Sequence, residues 1–202
     1  MTARRFHYYM FYKPFGVLCQ FSRVDGKEVL ADFGPFPKNV YPAGRLDHDS
    51  EGLLVLTDDG AVQHALLEPR FRHPRTYLAQ IERVPGPEAL EKLRAGIEIE
   101  KQRTLPAEVA LLDQEPPLPP RPVPIRYRKS VPTAWIELTI FEGRNRQVRK
   151  MTAAAGHPTL RLVRVRIGNL TLGELKPGEH RELTEMEVRE IRALVVGRRR
   201  TV

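Results

Sequence analysis

Gly44-Arg45-Leu46-Asp47-His48-Asp49-Ser50-Glu51-Gly52-Leu53-Leu54-Val55-Leu56-Thr57 sets an acidic, turn-forming segment directly against a continuous apolar run. Leu53 to Thr57 has the length of a strand and is bounded by Gly52 and by Asp58-Asp59-Gly60, so it reads as a buried strand. Asp58 or Asp59 can cap a helix through about Leu67, with Val62, Ala65 and Leu66 on one side and Pro69 as the stop. Asp47, His48 and Asp49 therefore sit on a loop that feeds a core strand. From the residues alone, three readings compete. Asp49 and Ser50 suit a turn whose side chains bond local N–H groups. Asp47 and Asp49 could hold Mg²⁺ for phosphoryl chemistry, although Asp58 and Asp59 fit the helix cap better. Alternatively, one carboxylate acts as nucleophile or base. Spacing does not choose among them.

Upstream, the aromatic content of Tyr8 to Tyr12 reads as a strand, stopped by Lys13-Pro14-Phe15-Gly16, and Val17 to Phe21 reads as a second one. Downstream, strands are expected at Arg75–Glu82, Ile97–Ile99, Glu108–Leu112, Thr133–Ile140 and Leu160–Ile167, the last with a cationic polar side. Helices are expected from Pro87 to Ala95, closed by Gly96, and from Asn145 to Ala155, closed by Gly156. In the second of these, Val148, Met151, Thr152 and Ala155 form an apolar stripe, and Arg146, Arg149 and Lys150 line another face. Thr184-Glu185-Met186-Glu187 has the form of a capping box opening a last helix to about Leu194. Six prolines between Glu115 and Pro124 make that stretch a loop. Strands outnumber helices and pair mainly antiparallel, so the class is α+β.

The 202 residues form one domain, bilobed or not, with tails at 1–7 and 195–202. No apolar run reaches the roughly 18 residues a membrane span requires, and the basic N-terminus leads into none, so neither membrane insertion nor secretion is expected. The lone Cys19 cannot form an internal disulfide, and no zinc-ligand spacing occurs; a reducing cytoplasm fits. With 33 Lys+Arg against 25 Asp+Glu, the formal charge is +8, an excess that suits a polyanionic partner. The Arg198-Arg199-Arg200 tail can add to such affinity.

The segment from Gly44 to Thr57 resembles, throughout its length, the signature of RNA pseudouridine synthases of the RsuA family. The likeness extends to Lys13-Pro14-Phe15-Gly16, to His73-Pro74-Arg75-Thr76-Tyr77, to Glu142-Gly143-Arg144-Asn145-Arg146-Gln147-Val148-Arg149-Lys150-Met151 and to Leu160-Arg161-Leu162-Val163-Arg164. It covers roughly Tyr8 to Ile191. Many relatives carry an N-terminal S4 RNA-binding module, but here the Lys13 block stands too near Met1 for one. The chain thus resembles the short form, whose substrate is large-subunit (23S) ribosomal RNA.

The resemblance implies a pseudouridine synthase fold: a mixed, mainly antiparallel sheet with flanking helices and a central basic cleft. It also implies isomerisation of uridine to pseudouridine in ribosomal RNA, with no cofactor and no metal; a monomer is expected. Matched position by position, the family's essential aspartate falls on Asp47, its active-site tyrosine on Tyr77 and its active-site basic residue on Arg149. Tyr77 would stack on a flipped-out uridine and Arg149 would face the carboxylate. Arg45, Lys13, Arg144, Arg146 and Lys150 are expected to bind RNA, and Asp49 to hold the loop. Two other functions fit the charge: a non-catalytic ribosome-assembly protein that binds RNA, and a metal-dependent nuclease.

Overall fold

The computed structural model describes residues 6–125, 128 and 130–196. In chain order its strands are β1 (Tyr8–Lys13), β2 (Tyr41–Pro42), β3 (Glu51–Thr57), β4 (Arg75–Glu82), β5 (Glu98–Ile99), β6 (Gln102–Arg103), β7 (Glu108–Leu112), β8 (Thr133–Ile140), β9 (Thr159–Ile167), β10 (Leu170–Thr171) and β11 (His180–Glu182). The helices are α1 (Gly60–Leu67), α2 (Pro87–Arg94), α3 (Gln147–Ala154) and α4 (Glu185–Val196). The α+β class holds. Two compact units divide the chain: residues 1–71 with 169–202, and residues 72–168. Among the described residues no helix is long and apolar enough to cross a membrane.

In the first unit β1 lies between β11 and β3, all antiparallel, and β2 also pairs with β3. All seven residues of β3 are buried, as its unbroken apolar run requires. Phe11, Val17, Leu30, Val40, Leu54 and Leu56 form one core cluster, bordered by Phe21, Phe33 and Phe36. Val17–Phe21 is not a strand. Val17 enters the core, and Leu18 and Gln20 then bond back to the segment around Glu28 to Leu30, so the apolar residues cover the core from a folded loop.

Asp59 caps α1, its Oδ1 accepting from Ala61 N at 3.0 Å and Val62 N at 3.3 Å. Its Oδ2 accepts from Tyr8 Oη at 2.6 Å, which ties β1 to the cap. Burial, followed by this bond, pushes the Tyr8 phenol well above its ordinary pKa. The capping box of α4 is present: Thr184 N donates to Glu187 Oε2 at 2.8 Å, and Glu187 N to Thr184 Oγ1 at 3.3 Å. Of the expected tails, His7 donates its N–H to Asp58 Oδ1 at 2.7 Å, and α4 runs on through Val196. Residues 1–5 and 197–202, including the terminal arginines, lie outside the described residues.

In the second unit the order is β9-β4-β8-β7, antiparallel throughout, with α2 against β7 and α3 against β5 and β9. β4, β7 and β8 have the bounds read from the sequence. Leu90 and Leu93 of α2, and Val148, Met151 and Thr152 of α3, are the buried faces. Ala155, expected on the α3 stripe, is the half-buried cap residue, and Gly156 leaves the helix at φ +90°.

Asp59→Ala removes the cap and strands the Tyr8 hydroxyl. Urea unfolding should show a loss of about 2–4 kcal/mol, larger than a solvent-exposed cap deletion gives.

Candidate active site

Asp47 is half-buried on a loop of the first unit whose backbone is fixed at several points. Ser50 N donates to Asp47 O at 3.1 Å, closing a β-turn over His48 and Asp49. Gly16 N donates to His48 O at 2.9 Å, so the Lys13 to Gly16 block is a support for this turn. Ala43 N bonds Val55 O at 2.8 Å, and the Cys19 Sγ lies 3.8 Å from Gly44 O. Gly44 has φ +100°, a conformation that favours glycine, and a Cβ there would meet Leu67 Cδ2 at 3.4 Å. Leu46 points inward while Arg45 and His48 are exposed.

Lys13, expected among the phosphate-binding cations, is instead fully buried. Its Nζ donates to Ser50 O and to Pro14 O, each at 2.8 Å. The position follows from the register, in which Lys13 faces Gly52 across the β1–β3 pair. Desolvation lowers its pKa to about 8, opposed by the charges of Cys19, Glu51, Asp49 and Asp47. The ammonium therefore lies within electrostatic reach of the acidic loop it supports.

Tyr77 and Arg149 belong to the second unit. Tyr77, 7% exposed, stands on β4 opposite Leu138 of β8 and Arg164 of β9. Arg149 is half-buried on α3, and its Nη1 donates to Thr159 O at 3.3 Å. Thr152 and Thr159 share a 2.7 Å hydroxyl contact, which ties the same helix to β9.

The turn before α3 is organised by Glu142, which the sequence presents only as the first residue of a block shared with the family. Its Oε1 accepts from Leu105 N and from Gln147 Nε2, both at 2.8 Å. Its Oε2 accepts from Arg144 Nε at 3.1 Å. Arg144 also donates through Nη2 to Arg103 O at 2.9 Å, so much of its guanidinium holds the turn instead of facing solvent. Lys150 pairs with Glu100 at 2.8 Å. Arg146 remains exposed, at the left-handed φ of +51° that starts the helix. The sequence shows the cations of this block, but the acceptors they find at Arg103 and Glu100 are remote in the chain and carry no periodic signal. Among the described residues no group of three or more His, Cys, Asp or Glu is arranged to hold a metal ion.

This fold is that of the pseudouridylate synthases. A crystal structure of a pseudouridylate synthase matches with a TM-score of 0.77 and 32% identity, covering 94% of this chain and 75% of that one. The model of the family described as RNA pseudouridylate synthase matches residues 7–154, and the chain belongs to that family. It is 58% identical over 167 residues to the ribosomal large subunit pseudouridine synthase E of Xanthomonas axonopodis pv. citri, covering 82% of this chain and 87% of the relative. It is 51% identical over 174 residues to the protein of the same name from Vibrio parahaemolyticus, covering 86% and 72%.

Lys13 binds its proton less tightly in the folded protein than in the unfolded chain. Between pH 8 and the ordinary value of 10.5, the unfolded chain therefore holds more protons, and stability rises with pH. Relative to Lys13→Met, the wild type should gain on the order of 3 kcal/mol across that window. Paired urea melts at the two ends would read it.

Proposed function

We propose that this protein isomerises a specific uridine of large-subunit ribosomal RNA to pseudouridine in the cytoplasm, as a monomer, with Asp47 as the reacting carboxylate. The observation that carries the reading is the half-buried Asp47 on a loop whose turn is hydrogen-bonded from Gly16 and from the buried Lys13. The large-subunit substrate is supported by the names of the relatives with which this chain shares more than half its aligned residues.

The reaction breaks the N1–C1′ bond, turns the uracil and rejoins it to the sugar through C5. A proton leaves C5 and one is gained at N1, so product and substrate are isomers and no outside reactant is consumed. Asp47 either adds to the sugar or the base, or removes a sugar proton to give a glycal; each route requires its carboxylate ionised. Arg149 supplies the opposing positive charge. Because the target atoms are inaccessible in a stacked helix, the uridine is flipped and stacks on Tyr77, whose hydroxyl can relay the C5 proton. Arg45 and Arg146, both exposed, contact phosphates. Asp49 keeps the turn in place.

Purified protein incubated with unmodified, pre-folded large-subunit ribosomal RNA in EDTA should convert a uridine at a defined position, with the strands intact. Pseudouridine mapping and gel electrophoresis read both. Tight binding with every uridine unchanged would make the protein a non-catalytic assembly factor, and metal-dependent strand cleavage would make it a nuclease.

A further inference from the structure

β5 and β6 form a hairpin with a fixed root and an exposed tip. At the root, Thr104 N donates to Ile97 O and Ile97 N donates to Thr104 Oγ1, each at 3.0 Å. Gly96 passes so close to Thr104 O that a Cβ on it would collide. Ile99 is buried, and the pairs Glu98↔Arg103 and Ile99↔Gln102 leave the two-residue loop Glu100-Lys101. Two side chains from the segment around the start of α3 fasten the hairpin from the side. Lys150 Nζ donates to Glu100 Oε1 at 2.8 Å, and Arg144 Nη2 donates to Arg103 O at 2.9 Å. The hairpin is thus a braced projection beside α3, and Lys101, Gln102 and Arg103 are exposed on it.

Both loop residues have left-handed backbones, with φ +51° at Glu100 and +63° at Lys101. A two-residue loop of this kind is made best by asparagine and glycine, because other side chains strain it. Glu100 has a reason to be there in its ion pair with Lys150. For Lys101 the fold supplies none: among the described residues no hydrogen bond or ion pair holds its ammonium. Strained residues that folding does not require collect at functional sites. Of the acids on the hairpin, Glu100 is taken by Lys150, and Glu98 stands across from Arg103. The ammonium at the tip is a compact charge on a flexible stem, suited to a phosphate oxygen, and Arg146 is exposed at the start of the helix that braces the hairpin.

We propose that Lys101 binds a backbone phosphate of the substrate RNA, on the strand whose neighbouring phosphates meet Arg146. The inference rests on the reading of this protein as one that acts on RNA and of Arg146 as a phosphate contact, and it adds a position outside the sequence blocks that carry the family likeness. The braced hairpin then fixes the course of the RNA that flanks the reacting uridine, and a lysine stands where glycine would make the steadier turn because the turn is there to present a charge.

The test is equilibrium binding to the full chain carrying Asp47→Asn, with unmodified fragments tiling large-subunit ribosomal RNA and the tightest-bound fragment kept as the probe. Adding Lys101→Gln should lower the slope of log affinity against log salt by about 0.7 to 0.9, so its penalty should shrink about threefold between roughly 50 and 200 mM salt. Lys101→Arg keeps the charge and should keep the slope. Lys101→Gly suits the left-handed turn, so it should raise the urea midpoint while lowering the slope as Lys101→Gln does, which separates a lost contact from lost folding. Methylphosphonates placed singly along the probe should include one that costs affinity in the parent and nothing further with Lys101→Gln. An unchanged slope with Lys101→Gln, or a penalty that adds to that of every methylphosphonate, would overturn the proposal. Arg146→Gln is read separately: an unchanged slope there would defeat the reading of Arg146 alone, and no fragment bound above background would defeat the RNA reading itself.

Discussion

The first unit is joined at one buried lysine. Lys13 Nζ is held by Ser50 O and Pro14 O and by nothing periodic in the chain, yet it joins the end of β1 to the turn that carries Asp47. Burying a cation is costly unless acceptors and opposite charges surround it. Here two carbonyls accept from it, and Asp47, Asp49 and Glu51 act on it through space. The acidic cluster is thereby half of an arrangement whose other half lies more than thirty residues earlier in the chain. Gly16, by bonding His48 O, makes the same connection through the backbone. The loop is a fixed platform for a carboxylate.

The second unit achieves comparable fixity with an anion. Glu142 gathers Leu105, Arg144 and Gln147 around its two oxygens and so sets where α3 begins. Arg146 takes up a left-handed conformation there, and Arg149 follows one turn into the helix. On β4 the strand pairing fixes Tyr77, and a bulge at Val165 chooses which arginine of β9 stands opposite it. These side chains are thus placed by a neighbour of opposite polarity or by the pairing of the sheet and its local irregularity. Family membership explains why these blocks occur together in one chain.

Much of this fold is legible in the residues because hydrophobic period reports burial. The apolar run of β3, the bounds of β4, β7 and β8, the Asp59 cap and the Thr184 capping box all follow from local chemistry. Val17 to Phe21 misleads because a covering loop needs apolar side chains as much as a strand does. The short β2, β6, β10 and β11 carry no detectable period over two or three residues. Lys13, Arg144 and Lys150 read as surface cations because charge is visible in a sequence while the acceptor that captures it is not. Asp47 gains standing through its block; Glu142, Arg75 and Arg164 also fall in such blocks, but what they stand against becomes legible only in space.

The central claim is that Asp47, and not the adjacent Asp49, reacts with the uridine. Single-turnover conversion of the target RNA by Asp47→Asn and by Asp49→Asn, each with its RNA affinity measured alongside, tests it most directly. The account predicts no pseudouridine above background from Asp47→Asn with affinity retained, and reduced but measurable conversion from Asp49→Asn. Substantial turnover by Asp47→Asn, or a complete loss confined to Asp49→Asn, would contradict it.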